Sequence, residues 1–135
     1  MPAGGFSERL CFAGEEDLLA VDLLSAGWEL CYVEDLVVHH QASALRDPHA
    51  RRRAGLRNTL WFTWLRQPRR KALRRTAFLV STVPRDRVSL LAFLDAARGV
   101  RWVLAGRRVM PPSVAARLAD LYVAQTRSTA RRYVS

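Results

Sequence analysis

Lysine is almost missing from these 135 residues: Lys71 stands alone against 21 arginines. A GC-rich genome produces that preference with no function behind it, so arginine content alone assigns none. Cysteine is scarce as well. Cys11 and Cys31 are too few for a disulfide framework, and two reduced, partly buried thiols in a cytosolic protein are expected. No apolar run approaches the roughly 18 residues of a membrane-spanning helix, which excludes a transmembrane reading. The first residues, MPAGGFSERL, lack a basic start followed by an apolar stretch, so no secretory leader is expected. No segment repeats. What remains is ordinary globular composition, 50% hydrophobic and 25% charged, on a length that suits one domain.

Charge is distributed unevenly. Residues 1–45 hold one basic side chain, Arg9, against eight acidic ones, a net −7; residues 46–135 hold 21 basic and four acidic, a net +17. The asymmetry divides the chain into an acidic portion, 1–45, and a basic extension, 46–135. The densest stretch, Arg51 to Arg75, has ten basic residues and no acid. Arg51, Arg52, Arg53 and Arg57 within it are candidates for phosphate or membrane contact, since guanidinium binds oxyanions in a bidentate fork. A pI near 11.3 also admits nucleic acid, but no nucleic-acid-binding motif is present and the first 45 residues are acidic, which makes that partner unlikely.

Residues 1–14 read as a glycine-rich loop. A helix begins at Glu15, with Glu15, Glu16 and Asp17 in its first turn, where acids complement the helix dipole, and Gly27 ends it. Trp28–Val33 and Leu36–His40 have strand character, with Glu34-Asp35 as the turn between them. After Ser43 everything reads as helix. Asp47-Pro48 is a start signal for a helix to about Gln67, with Leu56, Leu60, Trp61, Trp64 and Leu65 on its apolar face. A helix over 69–82 follows, then one from Pro84 to Gly99, a short apolar connection at 102–104, and a last helix from Pro111-Pro112. From Thr126 the tail is polar and basic, and fraying is expected.

The order of motifs in the acidic portion resembles the C-terminal half of the catalytic domain of bacterial family 2 glycosyltransferases, inverting enzymes of the GT-A fold. The residues that carry the resemblance are Gly4-Gly5-Phe6-Ser7-Glu8, Glu15-Glu16, Gly27-Trp28, Tyr32-Val33-Glu34 and His39-His40, followed by Arg57-Asn58-Thr59-Leu60-Trp61. It covers residues 3–66. It implies an α/β fragment of a GT-A domain over 1–45, followed by an all-α extension over 46–135.

The resemblance implies sugar transfer from a nucleotide diphosphate to an acceptor hydroxyl, saccharide or lipid-linked, in cell-envelope synthesis. A hydroxyl needs a carboxylate to take its proton; by motif position Glu16 is that base, with Glu15 and Asp17 orienting the acceptor. Leu18 stands where many members have a second acid. Gly4, Gly5, Phe6 and Gly14 form the acceptor loop. A divalent metal, magnesium or manganese, would offset the charge of the leaving diphosphate, and one of His39 and His40 would help to hold it. Alternate strand residues face opposite ways, and the His-x-x-Ser spacing to Ser43 favours His40.

The chain contains no Asp-x-Asp motif, the family's metal and donor site. The expectation is an incomplete enzyme, inactive alone, whose donor-binding half comes from a truncated, split or partner-encoded segment. Localisation is expected in the cytoplasm, peripheral at the inner face of the membrane, because the Trp-bearing basic stretch 51–75 suits an anionic surface. The competing reading is a non-catalytic basic interaction module for a membrane surface or a partner protein.

Overall fold

The computed structural model describes residues 4–11, 13–39 and 47–127, with backbone alone for 124–127. Among them are six helices: α1 Glu15–Ser25, α2 Pro48–Arg66, α3 Arg69–Thr82, α4 Arg87–Arg98, α5 Val100–Ala105 and α6 Pro112–Arg127. Their boundaries follow local chemistry. The Asp47 carboxylate accepts from the His49 N–H at 2.8 Å, and Pro48 occupies the first helical position. The Asp86 carboxylate accepts from Ser89 N–H at 2.9 Å and starts α4. Gln67 and Val83 are extended because a proline follows each. Gly27, at φ 90°, lets Trp28 N–H reach back to Leu23 carbonyl at 3.0 Å and closes α1.

The α/β reading of residues 1–45 is overturned: no strand or sheet is present among the described residues. Residues 28–39 are irregular apart from a turn at 34–35, and they have no ladder. Their turn is a single bond from Leu36 N–H to Val33 carbonyl at 3.2 Å. A strand is stabilised by its neighbours, and an isolated pair is marginal in water. Trp28, Tyr32, Leu36, Val37 and Val38 are exposed accordingly. The apolar connection expected at 102–104 is also different; it is part of helix α5, which buries Val103.

Helix α2 is the central element, in contact with α1, α3, α4 and α5, while α6 lies against α1. The core joins Leu10, Leu18 and Val21 to Phe62 and Leu65 of α2, Val103 of α5, and Met110 and Val114 around the start of α6. Acidic portion and basic extension thus share one core. Trp61 and Trp64 pack on that core, half-buried. The Trp61 indole N–H donates to Ala96 carbonyl at 3.0 Å, and the ring meets Trp102 edge to face at 5.2 Å. Gly99 touches the same indole so closely that a Cβ there would lie 2.6 Å from three ring atoms.

The C-terminal turn of α2 fastens the assembly. Arg66, buried at 8% exposure, spreads its guanidinium over both carboxylate oxygens of Asp22 on α1, at 2.6 and 2.8 Å. Its remaining nitrogen donates to Leu65 and Gly106 carbonyls. Arg107 donates to the Trp64 and Gln67 carbonyls, while Arg108 and Met110 N–H groups pair with Leu65 and Arg66 carbonyls. The carbonyls that a helix end leaves unpaired are therefore met, largely by guanidinium, at the negative end of the dipole.

Replacing Arg66 by Met is expected to cost about 2–3 kcal/mol, less than the roughly 3–5 of a fully buried pair because Asp22 keeps some solvent. Urea denaturation measures it, and a loss within about 0.5 kcal/mol, the surface-substitution range, would contradict the clamp. Gly99→Ala is expected to cost about 1–3 kcal/mol by overpacking against Trp61.

Candidate acidic cleft beside helix α1

Asn58 sets the approach to α1. It is fully buried on α2, and its amide donates to Cys11 carbonyl at 3.1 Å and Ala13 carbonyl at 2.8 Å. Its own oxygen accepts from Arg57 Nε at 2.9 Å. The loop before α1 is thereby pinned to the helix that carries the Arg-Asn pair. Gly14 follows as the N-cap residue at φ 83°, a conformation that side chains resist, with the Asn58 Cβ 3.8 Å from where its own Cβ would stand. Through this turn the first acids of α1 are brought beside α2.

A cleft of about 620 Å³ opens there. Ala13, Gly14 and Asp17 form one wall; Gly55, Thr59, Phe62, Thr63 and Gln67 form another; Arg75 of α3 and Tyr122 of α6 close it. Asp17 is exposed at the rim of the cleft, and its pKa is raised, first by partial desolvation against the cleft wall and then by the charges of Glu16 and Glu15. The Tyr122 phenol is also pushed up, by burial first and by Asp17 next, with Arg75 opposing. An acid, a phenol and a guanidinium thus line one space, and both the acid and the guanidinium act on the phenol. Shifted groups converging in a cleft are the usual signature of a working site.

The residues singled out from the sequence divide among several places. Gly14 and Asp17 line the cleft. Glu16 is exposed and does not line it. Glu15 is half-buried, and its Oε2 is enclosed without a hydrogen-bond partner among the described residues. Gly4, Gly5 and Phe6 are exposed and do not line the cleft, Gly5 at φ 75° and Phe6 64% exposed. His39 is exposed on the irregular segment after the turn at 34–35; His40 and Ser43 lie outside the described residues.

Among the described residues no three His, Cys, Asp or Glu side chains converge as a metal site requires. His39 stands on an exposed, unpaired segment, so the donor set in view does not fit the divalent ion that the family resemblance implies.

Most of the arginines expected to meet phosphate are already engaged within the chain. Arg52 is paired with Asp86, and Arg53 Nε with Asp95 at 2.6 Å. Arg57 stacks over Trp61 with its guanidinium carbon 4.6 Å from the ring centre. Arg51 is half-exposed or more and takes no pair among the described residues.

Thr59, Thr63, Gln67, Arg75 and Tyr122 were not anticipated as site residues. The signal for four of the wall positions is nonetheless in the sequence. Gly55, Thr59, Thr63 and Gln67 recur every fourth residue, a small and polar stripe along one face of a helix that is otherwise apolar or arginine-rich. Arg75 and Tyr122 join only through the tertiary fold. No known protein family, curated protein or solved structure matches the chain.

Asp17 and Asp86 give opposite pH signatures. A raised carboxyl holds its proton more tightly when folded, so the Asp17 contribution to stability declines as pH climbs above 3.8 through the raised value. Asp17→Asn should match the parent below that window and be more stable above it. The Asp86 carboxyl is lowered to about 2, chiefly by the Ser89 N–H and then by Arg52. Its stabilisation is complete above 3.8 and is lost as pH falls toward 2. Thermal melts across pH 2–7 of the parent, Asp17→Asn and Asp86→Asn separate the two, and an Asp17→Asn curve parallel to the parent would contradict the raised-carboxyl account.

Proposed function

We propose that the cleft is the acceptor side of an inverting glycosyl transfer, with Asp17 as the general base. The observation that supports this most is the Asp17 carboxyl itself. It is raised in pKa, opens into a polar cleft, and faces an arginine and a phenol. A base with a pKa moved toward neutrality transfers protons more effectively at neutral pH than an ordinary carboxylate. The motif resemblance at Glu15-Glu16 and at Arg57-Asn58-Thr59-Leu60-Trp61 supports an acceptor site here, but it gives the base role to Glu16; Asp17 takes that role because it, and not Glu16, lines the cleft.

In this reading the acceptor hydroxyl gives its proton to Asp17 while its oxygen bonds to the anomeric carbon of the donor. The bond from that carbon to the diphosphate breaks, and the electron pair leaves on phosphate. Arg75 steadies the charge across the cleft, and the Thr59, Thr63 and Gln67 side chains offer hydrogen bonds to other hydroxyls of the acceptor. Glu16, exposed beside the site, acts through its charge on Asp17 rather than by contact. The nucleotide diphosphate is held by polypeptide other than these 135 residues, which contain no Asp-x-Asp. The exposed apolar stretch from Trp28 to Val38 is the surface where such a polypeptide would join.

The chain alone is then expected to bind acceptor without turning over. In a nitrogen-15 NMR titration with mono- and oligosaccharides, signals of Gly14, Thr59, Thr63 and Tyr122 should move, and Arg75→Gln should abolish the movement. Saturating saccharide with no change in those signals would refute the cleft. Nucleotide-sugar turnover by the isolated chain would refute the division of labour. With the donor-binding polypeptide present, Asp17→Asn should lower turnover by roughly 10²–10⁴-fold, and Glu16→Gln by only a few-fold.

A further inference from the structure

Helix α2 has a second open face, on the side away from the acidic cleft. Helices α3 and α4 each pack on α2, and a cavity lies between them. The floor is Leu60, Trp61 and Trp64; Thr76 of α3 lies on one side, Phe93, Ala96 and Ala97 of α4 on the other, and Val100 and Leu104 of α5 close the end. This cavity is about 370 Å³ and almost wholly apolar. Its polar groups are already used: the Trp61 N–H goes to Ala96 carbonyl, the Trp64 N–H to Thr76 hydroxyl at 3.0 Å, and that hydroxyl to Ala72 carbonyl. Nothing is left inside to hydrogen-bond a polar ligand, so the space suits hydrocarbon.

Phe93 is shared with an adjoining recess of about 620 Å³ at the α3–α4 turn, where Val80, Val83 and Leu90 meet Arg85 and Arg87. Both arginines are exposed, and neither makes an ion pair or hydrogen bond among the described residues. The acid between them, Asp86, also lines the recess, and its two oxygens are taken by the Ser89 N–H that caps α4 and by Arg52. Two uncommitted guanidinium groups therefore stand at the mouth of a dry apolar slot. Leu73, Phe78 and Val80 of α3, Leu90 and Leu94 of α4, and Val100 and Leu104 of α5 leave an exposed apolar surface on the same three helices.

We propose that this groove holds one hydrocarbon chain of an anionic membrane phospholipid, with the phosphate on Arg85 and Arg87. The charge pattern chooses the occupant. An uncharged apolar ligand would leave the arginine pair unexplained, and an acidic peptide would leave the dry slot unfilled. A phospholipid uses both, because guanidinium forks match phosphate oxygens and each methylene buried in the slot adds to binding. The floor of the groove comes from the Trp-bearing stretch 51–75, but the arginines of that stretch are not its phosphate contacts. There Arg52, Arg53 and Arg57 are engaged internally, and Leu60 is buried. The groove is independent of the acidic cleft and of any transferase activity.

The test uses the full chain carrying Trp28→Phe, so that fluorescence comes from Trp61, Trp64 and Trp102. It is mixed at low salt with vesicles of phosphatidylglycerol whose acyl chains are dibrominated, with unbrominated phosphatidylglycerol, and with phosphatidylcholine. Bromine quenches only indoles that it approaches closely. The expected result is quenching by the brominated anionic vesicles and none by phosphatidylcholine. Arg85→Gln with Arg87→Gln should weaken vesicle binding by about tenfold or more and flatten its salt dependence. Ala97→Phe, which narrows the slot without changing charge, should remove the quenching. The arginine pair is exposed and unpaired, so that variant keeps its fold, and circular dichroism checks both. Vesicle binding without a bromine effect, quenching unchanged in either variant, or no binding to phosphatidylglycerol at low salt would each overturn the proposal.

Discussion

Arg66 is the joint on which the rest of the molecule depends. One guanidinium grips both oxygens of Asp22 on α1 and, with its third nitrogen, the carbonyls of Leu65 and Gly106. It therefore fixes α1 to α2 and the 106–110 connection to both. A lysine has no planar fork and could not make these contacts together. Asn58 makes a second attachment two turns earlier, binding the carbonyls of Cys11 and Ala13. Between the two attachments lie Leu18 and Val21 in the core, and ahead of them the Gly14 turn that carries Asp17 into its cleft. Position in the cleft is thus a consequence of how α1 is held, not of any contact that Asp17 itself makes.

The charge imbalance takes on a different meaning in three dimensions. Residues 46–135 hold only four acids, Asp47, Asp86, Asp95 and Asp120, and three of them do structural work. Asp47 and Asp86 cap helices, Asp86 also holds Arg52, and Asp95 joins Arg53 to Arg98. Arg57, Arg66 and Arg107 are taken up by an aromatic face, an acid of α1 and helix-end carbonyls. Much of the arginine that looked available for an outside anion is mortar between helices. What stays uncommitted, Arg85 and Arg87 among it, is the part that can face a partner.

Most of the helical architecture was legible in the sequence because its signals are local. Asp47-Pro48, the prolines at 68 and 84, Gly27 and Gly99 each act within a turn of the boundary that they set. The strands were misread for the same reason in reverse. Trp28–Val33 and Leu36–His40 have strand composition, but a strand also needs a neighbour to bond with, and no local signal reports one. Residues 102–104 read as an apolar connection because three residues carry no period; they lie in the helix Val100–Ala105, which buries Val103 in the core. For the site, the acids of α1 and Gly14 stood out as motif positions. Which acid enters the cleft depends on the rotation of α1 about its axis, fixed by Leu18, Val21 and Asp22 against α2. Tyr122, some hundred residues from Asp17, could be found only through the fold.

The claim at the centre of this account is that α1, held by Arg66 and Asn58, presents Asp17 as a raised-pKa carboxyl facing Tyr122 and Arg75. Carbon-13 NMR of the Asp17 side-chain carboxyl, followed through a pH titration, tests it directly. The account predicts a midpoint above 3.8, moved downward but still above 3.8 when Glu15 and Glu16 are both changed to Gln, because burial is the larger cause. The ring signals of Tyr122 should respond at the same midpoint. A midpoint at or below 3.8, with Tyr122 unresponsive, would contradict it.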